Sequence, residues 1–143
     1  MKKITEHLLL ALKLFSFPLF IIFIHAVLSE YEAYRIISWV DIPMHFFGGV
    51  SVGITYTLVL RELRKGSYVG EMRTPLLFLF VVCLVGTTAV GWEFYEFASD
   101  YFFRTHAQPS FVDTMEDMFL GLCGGVLGYF LAFERLRKET ISF

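Results

Sequence analysis

The stretch LLLALKLFSFPLFIIFIHAVL runs from Leu8 to Leu28, and Lys13 is the only Lys, Arg, Asp or Glu in it. A helix of about 20 mostly apolar residues is long enough to cross a membrane. Lys13 lies near the start, where its amine can reach the interface, and Pro18 is tolerated inside a membrane helix. Lysines precede the stretch as in a secretory signal, but no small-residue cleavage site follows it. We therefore expect a transmembrane helix here.

Three further segments along the chain have a similar length and composition, at about residues 42–60, 75–98 and 112–133. Pro43 and Pro75 lie in first turns, where a missing N–H costs nothing, and Asp113 suits the first turn of the last segment. Runs of this length exceed the usual strand of about 3–10 residues. The sequence predicts an all-α fold in which 1–143 form a single domain, a bundle of four transmembrane helices with antiparallel neighbours.

The composition agrees with a membrane protein and excludes several other classes. Hydrophobic residues make up 56% of the chain and charged residues 18%, so the chain is too apolar to be disordered. The net charge of −2 argues against nucleic acid as a partner. Two cysteines are too few for a disulfide framework. Membrane lipids are therefore the expected surroundings, with the protein as a monomer or a small homo-oligomer.

Basic side chains are concentrated before the first segment, after the second and after the fourth: Lys2, Lys3, Arg61, Arg64, Lys65, Arg73, Arg135, Arg137 and Lys138. Cytoplasmic loops of membrane proteins carry an excess of Lys and Arg. We therefore expect a multi-pass protein of the inner (plasma) membrane with both termini in the cytoplasm. Glu30 and His106 are then outside.

Ionisable side chains collect at the predicted outer ends of three segments. His45, Glu93 and Asp117 lie inside the apolar zone, where an ionisable group that faces lipid is costly. Each shares its helix face with a second ionisable residue three or four positions away, in the pairs Asp41 and His45, Glu93 and Glu96, and Asp113 and Asp117. We expect these faces to turn inward and to converge.

The converging side chains are the types that hold a divalent cation, because crowded carboxylates in a low-dielectric site need protons or a cation to neutralise them. Oxygen ligands suit Mg²⁺, Mn²⁺ or Ca²⁺, and an imidazole favours Mn²⁺, Fe²⁺ or Zn²⁺. The candidate metal ligands are Asp41, His45, Glu93, Glu96, Asp113 and Asp117, with Glu93 and Asp117 as candidate catalytic carboxylates. None of the spacings is a strict metal motif. Protons shared within the cluster, or Asp113 acting as a helix cap, are the alternatives.

Small residues follow the ionisable ones on two segments. Gly49-x-x-x-Gly53 comes after His45, and Gly121-x-x-x-Gly125 comes after Asp117. Glycines four residues apart allow the backbones of membrane helices to approach closely. We expect these glycines to pack the second segment against the fourth, which brings His45 near Asp117.

Three motifs follow one another in the sequence: Asp-x-x-x-His-Phe-x-Gly-Gly from Asp41, Trp-Glu-x-x-Glu from Trp92, and Asp-Thr-x-x-Asp-Met-x-x-Gly-x-x-Gly-Gly from Asp113. In this order they resemble the VanZ-like superfamily of small bacterial membrane proteins, and its YjdF-like branch of inner-membrane proteins in particular. The resemblance covers about residues 41–128. VanZ proteins are linked to glycopeptide-antibiotic resistance, so the resemblance implies a role in the cell envelope.

Three functions are consistent with these features. The first is an enzyme that uses a metal or carboxylate site on a lipid-linked or envelope substrate. The second is an ion or proton-coupled transporter, which a relay of buried carboxylates and histidines would serve. The third is a non-catalytic membrane module in which the polar cluster only holds helices together. A bound metal, or an open cavity above the cluster, would argue against the third.

Overall fold

The computed structural model describes residues 2–37, 39–70 and 72–141, with side chains omitted at 2–4, 6–7 and 135–141. Its helices are α1 (Lys2–Glu30), α2 (Ala33–Ile36), α3 (Asp41–Lys65), α4 (Thr74–Phe103) and α5 (Phe111–Ile141). The helices α1, α3, α4 and α5 are each long and apolar enough to cross a membrane. Within the described ranges no strand occurs, and the predicted all-α membrane bundle is confirmed.

The helices extend beyond the apolar segments that predicted them. Hydropathy marks only the part that lies in hydrocarbon, whereas helical hydrogen bonding continues into the polar turns, as far as Lys65 in α3. The short helix α2 was not predicted, and it follows Glu32, whose left-handed backbone (φ 54°) turns the chain. The side chains of Lys2, Lys3, Arg135, Arg137 and Lys138, on which part of the orientation argument rests, lie outside the described residues.

The helices α3 and α5 share the most extensive contact in the bundle and run parallel to each other. A Cβ atom at Gly49 would overlap the backbone of Gly121, and one at Gly53 would overlap the backbone of Gly125. From the other side, a Cβ atom at Gly124 would overlap the carbonyl of Phe46 on α3. The two backbones are therefore in direct contact, and the predicted packing glycines lie opposite one another in register.

The helices α1 and α4 complete the bundle, and each runs antiparallel to α3. The hydroxyl of Tyr56 on α3 is 2.8 Å from Thr88 Oγ1 on α4, and Thr55 Oγ1 donates to the backbone carbonyl of Leu14 on α1 at 3.1 Å. The described side chains of α1 are all exposed or half-buried, so this helix lies at the edge of the bundle.

An apolar core fills the end of the bundle that is remote from His45. It is formed by Leu60, Leu77, Val81, Val85 and Tyr129, which are almost fully buried. The ring of Tyr129 packs against Phe78 with centroids 5.1 Å apart. This core fixes α4 against α3 and α5, and it leaves the ionisable residues at the opposite end.

Candidate metal centre

His45 lies at the centre of the polar cluster, on the second turn of α3. Its Nε2 atom is 3.2 Å from Asp41 Oδ1, 3.6 Å from Asp117 Oδ2 and 3.9 Å from Glu96 Oε1. Asp41 precedes His45 by one helical turn, whereas Glu96 comes from α4 and Asp117 from α5. One imidazole therefore meets carboxylates from three helices.

The potential ligands form two groups that share Asp117. The first group consists of His45, Glu93, Glu96 and Asp117, and the second consists of Asp41, Asp113 and Asp117. Within each group, one ligand atom of every residue lies within 4.8 Å of the ligand atoms of the others. Ligands at about 2.1 Å stand about 3.4 Å apart around a tetrahedral ion, and up to about 4.2 Å apart around an octahedral one. The side chains of either group would therefore have to move closer together to hold a cation.

The carboxylates of the cluster are largely removed from solvent. Glu93, Glu96 and Asp117 are 7%, 5% and 4% exposed. Three carboxylate oxygens are buried without a hydrogen-bond partner: Glu93 Oε1, Asp113 Oδ2 and Asp117 Oδ2. A buried polar atom without a partner is costly, and more so when it is charged. These three oxygens therefore need a proton or a cation.

Two side chains outside the cluster orient its glutamates. The indole Nε1 of Trp92 donates to Glu96 Oε1 at 2.8 Å, one helical turn along α4. The amide Nε2 of Gln108 donates to Glu93 Oε2 at 2.9 Å and to the Glu93 backbone carbonyl at 3.1 Å. Each glutamate thus has one oxygen held by a neutral donor, and the second oxygen of Glu93 is left for the cluster.

Asp100 holds the loop that carries Gln108. Its carboxylate accepts hydrogen bonds from the hydroxyl of Thr105 and from the backbone N–H groups of Ala107 and Gln108. The loop starts at Arg104, which has a left-handed backbone conformation at the end of α4. Asp100 therefore shapes the loop and lies apart from the candidate ligands.

A second polar contact flanks the cluster on the side of α1. His25 Nδ1 is 2.8 Å from the hydroxyl of Tyr34, and the ring of His25 packs edge-on against Trp92 with centroids 4.9 Å apart. Burial, with the nearby carboxylates of Asp41 and Glu96, raises the pKa of the Tyr34 hydroxyl, so this group stays protonated. His25 and Tyr34 form one wall beside the cluster.

A cavity of about 140 Å³ opens beside the cluster. Asp41, His45 and Asp117 line its polar end, together with His25 and Tyr34. The rest of its wall comes from α1, α3, α4 and α5 and is mainly apolar. The cluster is therefore accessible to a small group from inside the bundle.

Residues 6–138 match the family described as "Predicted membrane protein (DUF2238)". The chain belongs to this family. The match includes all four membrane helices and every residue of the cluster. No curated protein and no solved structure matches the chain significantly. Membership of DUF2238 establishes a membrane protein and assigns no activity to it.

In this DUF2238 member, all six candidate ligands predicted from the sequence belong to one of the two groups of donor atoms. Trp92 begins one of the three sequence motifs, but its bond to Glu96 was not predicted, although their i,i+4 spacing allows it. Gln108 was missed as well, because it lies in a loop and no pattern in the sequence links it to Glu93.

Proposed function

We propose that the cluster binds one divalent cation, Mn²⁺, Zn²⁺ or Mg²⁺, and that this cation acts on a lipid-linked or cell-envelope substrate. The main support is the set of buried carboxylate oxygens on Glu93, Asp113 and Asp117 that have no hydrogen-bond partner. They lie around His45, whose imidazole adds a nitrogen donor. A cation held by the first group would satisfy the buried oxygens of Glu93 and Asp117 and reduce the repulsion between the carboxylates, whereas Asp113 belongs to the second group.

The residues of the cluster suggest a division of roles. His45, Glu96 and Asp117 offer ligand atoms from three helices, and Trp92 and Gln108 hold the glutamates as outer partners of metal ligands do. A bound cation supplies a Lewis acid that polarises a phosphoryl or carbonyl oxygen. We assign proton transfer to Glu93 and Asp117, because the buried oxygen of each can accept a proton whenever the cation does not occupy it.

The assignment to the cell envelope rests on the order of the three sequence motifs. That order favours a relationship between this DUF2238 member and the VanZ-like superfamily. The motif residues Asp41, His45, Glu93 and Asp117 are also the residues that meet in the cluster. We therefore place the protein in the plasma membrane, with a substrate from the envelope.

The fold favours a site at one end of the bundle over a path through it. A transporter would need polar groups beyond the cluster, but Leu60, Leu77, Val81 and Val85 pack together in the remote half. The buried hydroxyls of Thr55 and Thr57 donate to backbone carbonyl groups, which leaves them without a free proton to relay. These contacts disfavour transport by a single chain.

Chelation of the purified wild-type protein with EDTA is expected to lower its melting temperature by about 5 °C or more. The physical reason is that a cation that binds only the folded state stabilises it, and its removal leaves repelling carboxylates in a dry site. Circular dichroism in detergent measures the transition. Addition of Mn²⁺ or Zn²⁺ in excess of EDTA should restore the original value.

Glu116→Gln provides the matched control for this experiment. Glu116 is exposed and precedes Asp117 on α5, so the substitution removes the same charge from outside the cluster. Its response to EDTA should equal that of the wild type, whereas Asp117→Asn should not respond. A wild-type melting temperature that stays constant on chelation would leave the cluster as a structural or proton-sharing element.

The orientation can be tested with single cysteines in a background in which Cys83 and Cys123 are replaced by alanine. Tyr31→Cys and Ser67→Cys are suitable because both positions are exposed and lie at opposite ends of the bundle. Basic residues around Ser67 place it in the cytoplasm. We expect an impermeant thiol reagent to label intact cells at position 31 only. Labelling at position 67 instead would place the cluster on the cytoplasmic side.

A further inference from the structure

The cavity beside the cluster extends along the membrane-spanning helices. Its lining on α4 begins at Trp92 and ends at Val85, a distance of about 10 Å at 1.5 Å per residue. On α1 the lining covers a similar length, from His25 to Pro18. The cavity therefore has one end at the ionisable cluster and the other near the middle of the bundle.

The deep part of this cavity is apolar. Ile21, Val52 and Val85 line it, together with Pro18 and Ala89. The hydroxyls of Ser51 and Thr88, which also line it, donate to the backbone carbonyls of Gly48 and Leu84. The protons of these two hydroxyls are therefore not available to a polar ligand, whereas a hydrocarbon would contact side chains of its own kind.

The position of α1 gives this cavity a route to the lipid. The helix packs against α3 and α2, with little contact to α4. The ring contact between His25 and Trp92 joins α1 to α4 only at the polar end. Leu19, Phe20 and Phe23 of α1 are more than half exposed. A chain from the bilayer can therefore enter between α1 and α4 below His25.

We propose that this cavity binds one hydrocarbon chain of a phosphate-headed amphiphile, with the phosphate at the cluster. The inference rests on the proposed function, because a cation held by Asp117 and His45 supplies the charge that complements an anionic head. An apolar cavity of about 150 Å³ holds benzene. The observed 140 Å³ includes the polar end, so the cavity accommodates at most about the first six carbons of a chain, and the remainder extends into lipid.

Gly48 offers a way to fill the cavity without disturbing the helices. It lines the cavity, and a Cβ atom added there would have no other atom within 4 Å. A leucine at this position would project into the space assigned to the chain. Gly91 on α4 is the matched control, because a Cβ atom there is equally unobstructed and Gly91 does not line the cavity. Both substitutions also improve helix propensity, so both variants should fold.

The experiment measures the binding of dodecyl phosphate to the full-length protein loaded with Mn²⁺. A steroid-based detergent is used because an alkyl detergent would compete for the cavity. We expect Gly48→Leu to weaken this binding by about fivefold or more, the lower end of what overcrowding a packed site costs. Gly91→Leu should bind like the wild type, and both variants should bind Mn²⁺ normally.

The outcomes separate this inference from the proposed function. If Mn²⁺ binds and dodecyl phosphate does not, or binds equally to wild type and Gly48→Leu, the hydrocarbon site is wrong and the metal site stands. If Mn²⁺ does not bind but Gly48→Leu still blocks dodecyl phosphate, the metal site and the placement of the phosphate at the cluster are wrong, and the hydrocarbon site stands. A third outcome is that the wild type is a dimer, that Gly48→Leu makes it monomeric, and that dodecyl phosphate leaves the dimer intact. In that case a second copy occupies the cavity and the hydrocarbon site is wrong.

Discussion

Gly49→Ala is expected to destabilise the bundle more than the addition of one methyl group at any other position of α3 would. The new Cβ atom would overlap the backbone carbonyl of Gly121, so α3 and α5 must move apart. Overcrowding a packed contact costs about 1–3 kcal/mol. We expect a loss of unfolding free energy at the upper end of this range or above it, because the obstructing atoms belong to the backbone and cannot rotate away. Denaturation in detergent, followed by circular dichroism, measures the free energy of unfolding.

Gly121→Ala is the matched control on the other side of the same contact. A Cβ atom at Gly121 would lie 3.6 Å from the Cβ atom of Ala89, which is an ordinary contact distance. The substitution should therefore change stability by no more than about 0.5 kcal/mol. Equal losses in Gly49→Ala and Gly121→Ala would contradict the register of α3 and α5, and with it the approach of His45 to Asp117.

The membrane helices and the convergence of their polar faces could be predicted from the sequence. Length and composition identify a span, because the bilayer sets both. The cost of an ionisable group in lipid then dictates that His45, Glu93 and Asp117 face inward. The glycines following His45 and Asp117 pointed to the pairing of α3 with α5. Each of these inferences used a strong physical constraint that acts on a single helix.

The details of the site depended on contacts that no pattern in the sequence encodes. Gln108 reaches Glu93 because Asp100 ties the intervening loop to the end of α4, and loop geometry of this kind follows from several bonds at once. The helix α2 brings Tyr34 to His25, although its four residues carry no periodic signal. The cavity is a gap between α1 and its neighbours, so it becomes visible only when all helices are placed.

Asp117→Asn is expected to weaken the binding of Mn²⁺ by about a hundredfold or more. Asp117 belongs to both groups of candidate ligands, and one of its oxygens is buried without a hydrogen-bond partner. Asparagine keeps the shape and one carbonyl oxygen but removes the charge. Loss of a residue that hydrogen-bonds to a metal ligand lowers metal affinity by about 10–100-fold. Asp117 is itself a candidate ligand in both groups, so its loss should lower the affinity by the upper value or more.

A cluster neutralised by shared protons would behave differently. His45 Nε2 is 3.2 Å from Asp41 and 3.6 Å from Asp117, so a proton held between these groups could join the helices without a metal. In that case Asp117→Asn would preserve a hydrogen-bonding partner for His45, and the protein would be indifferent to cations. The two explanations therefore make opposite predictions for the binding of metal.

The most direct test is the amount of Mn²⁺ bound at equilibrium by wild type, Asp117→Asn and Glu116→Gln, measured from the electron paramagnetic resonance signal of free Mn²⁺. We expect one bound ion per chain in wild type and in Glu116→Gln, and a loss of binding in Asp117→Asn at the same concentrations. The same series is repeated with Zn²⁺ and Mg²⁺ as competitors. Wild-type protein that binds none of the three cations, or Asp117→Asn that binds them as wild type does, would contradict the metal centre.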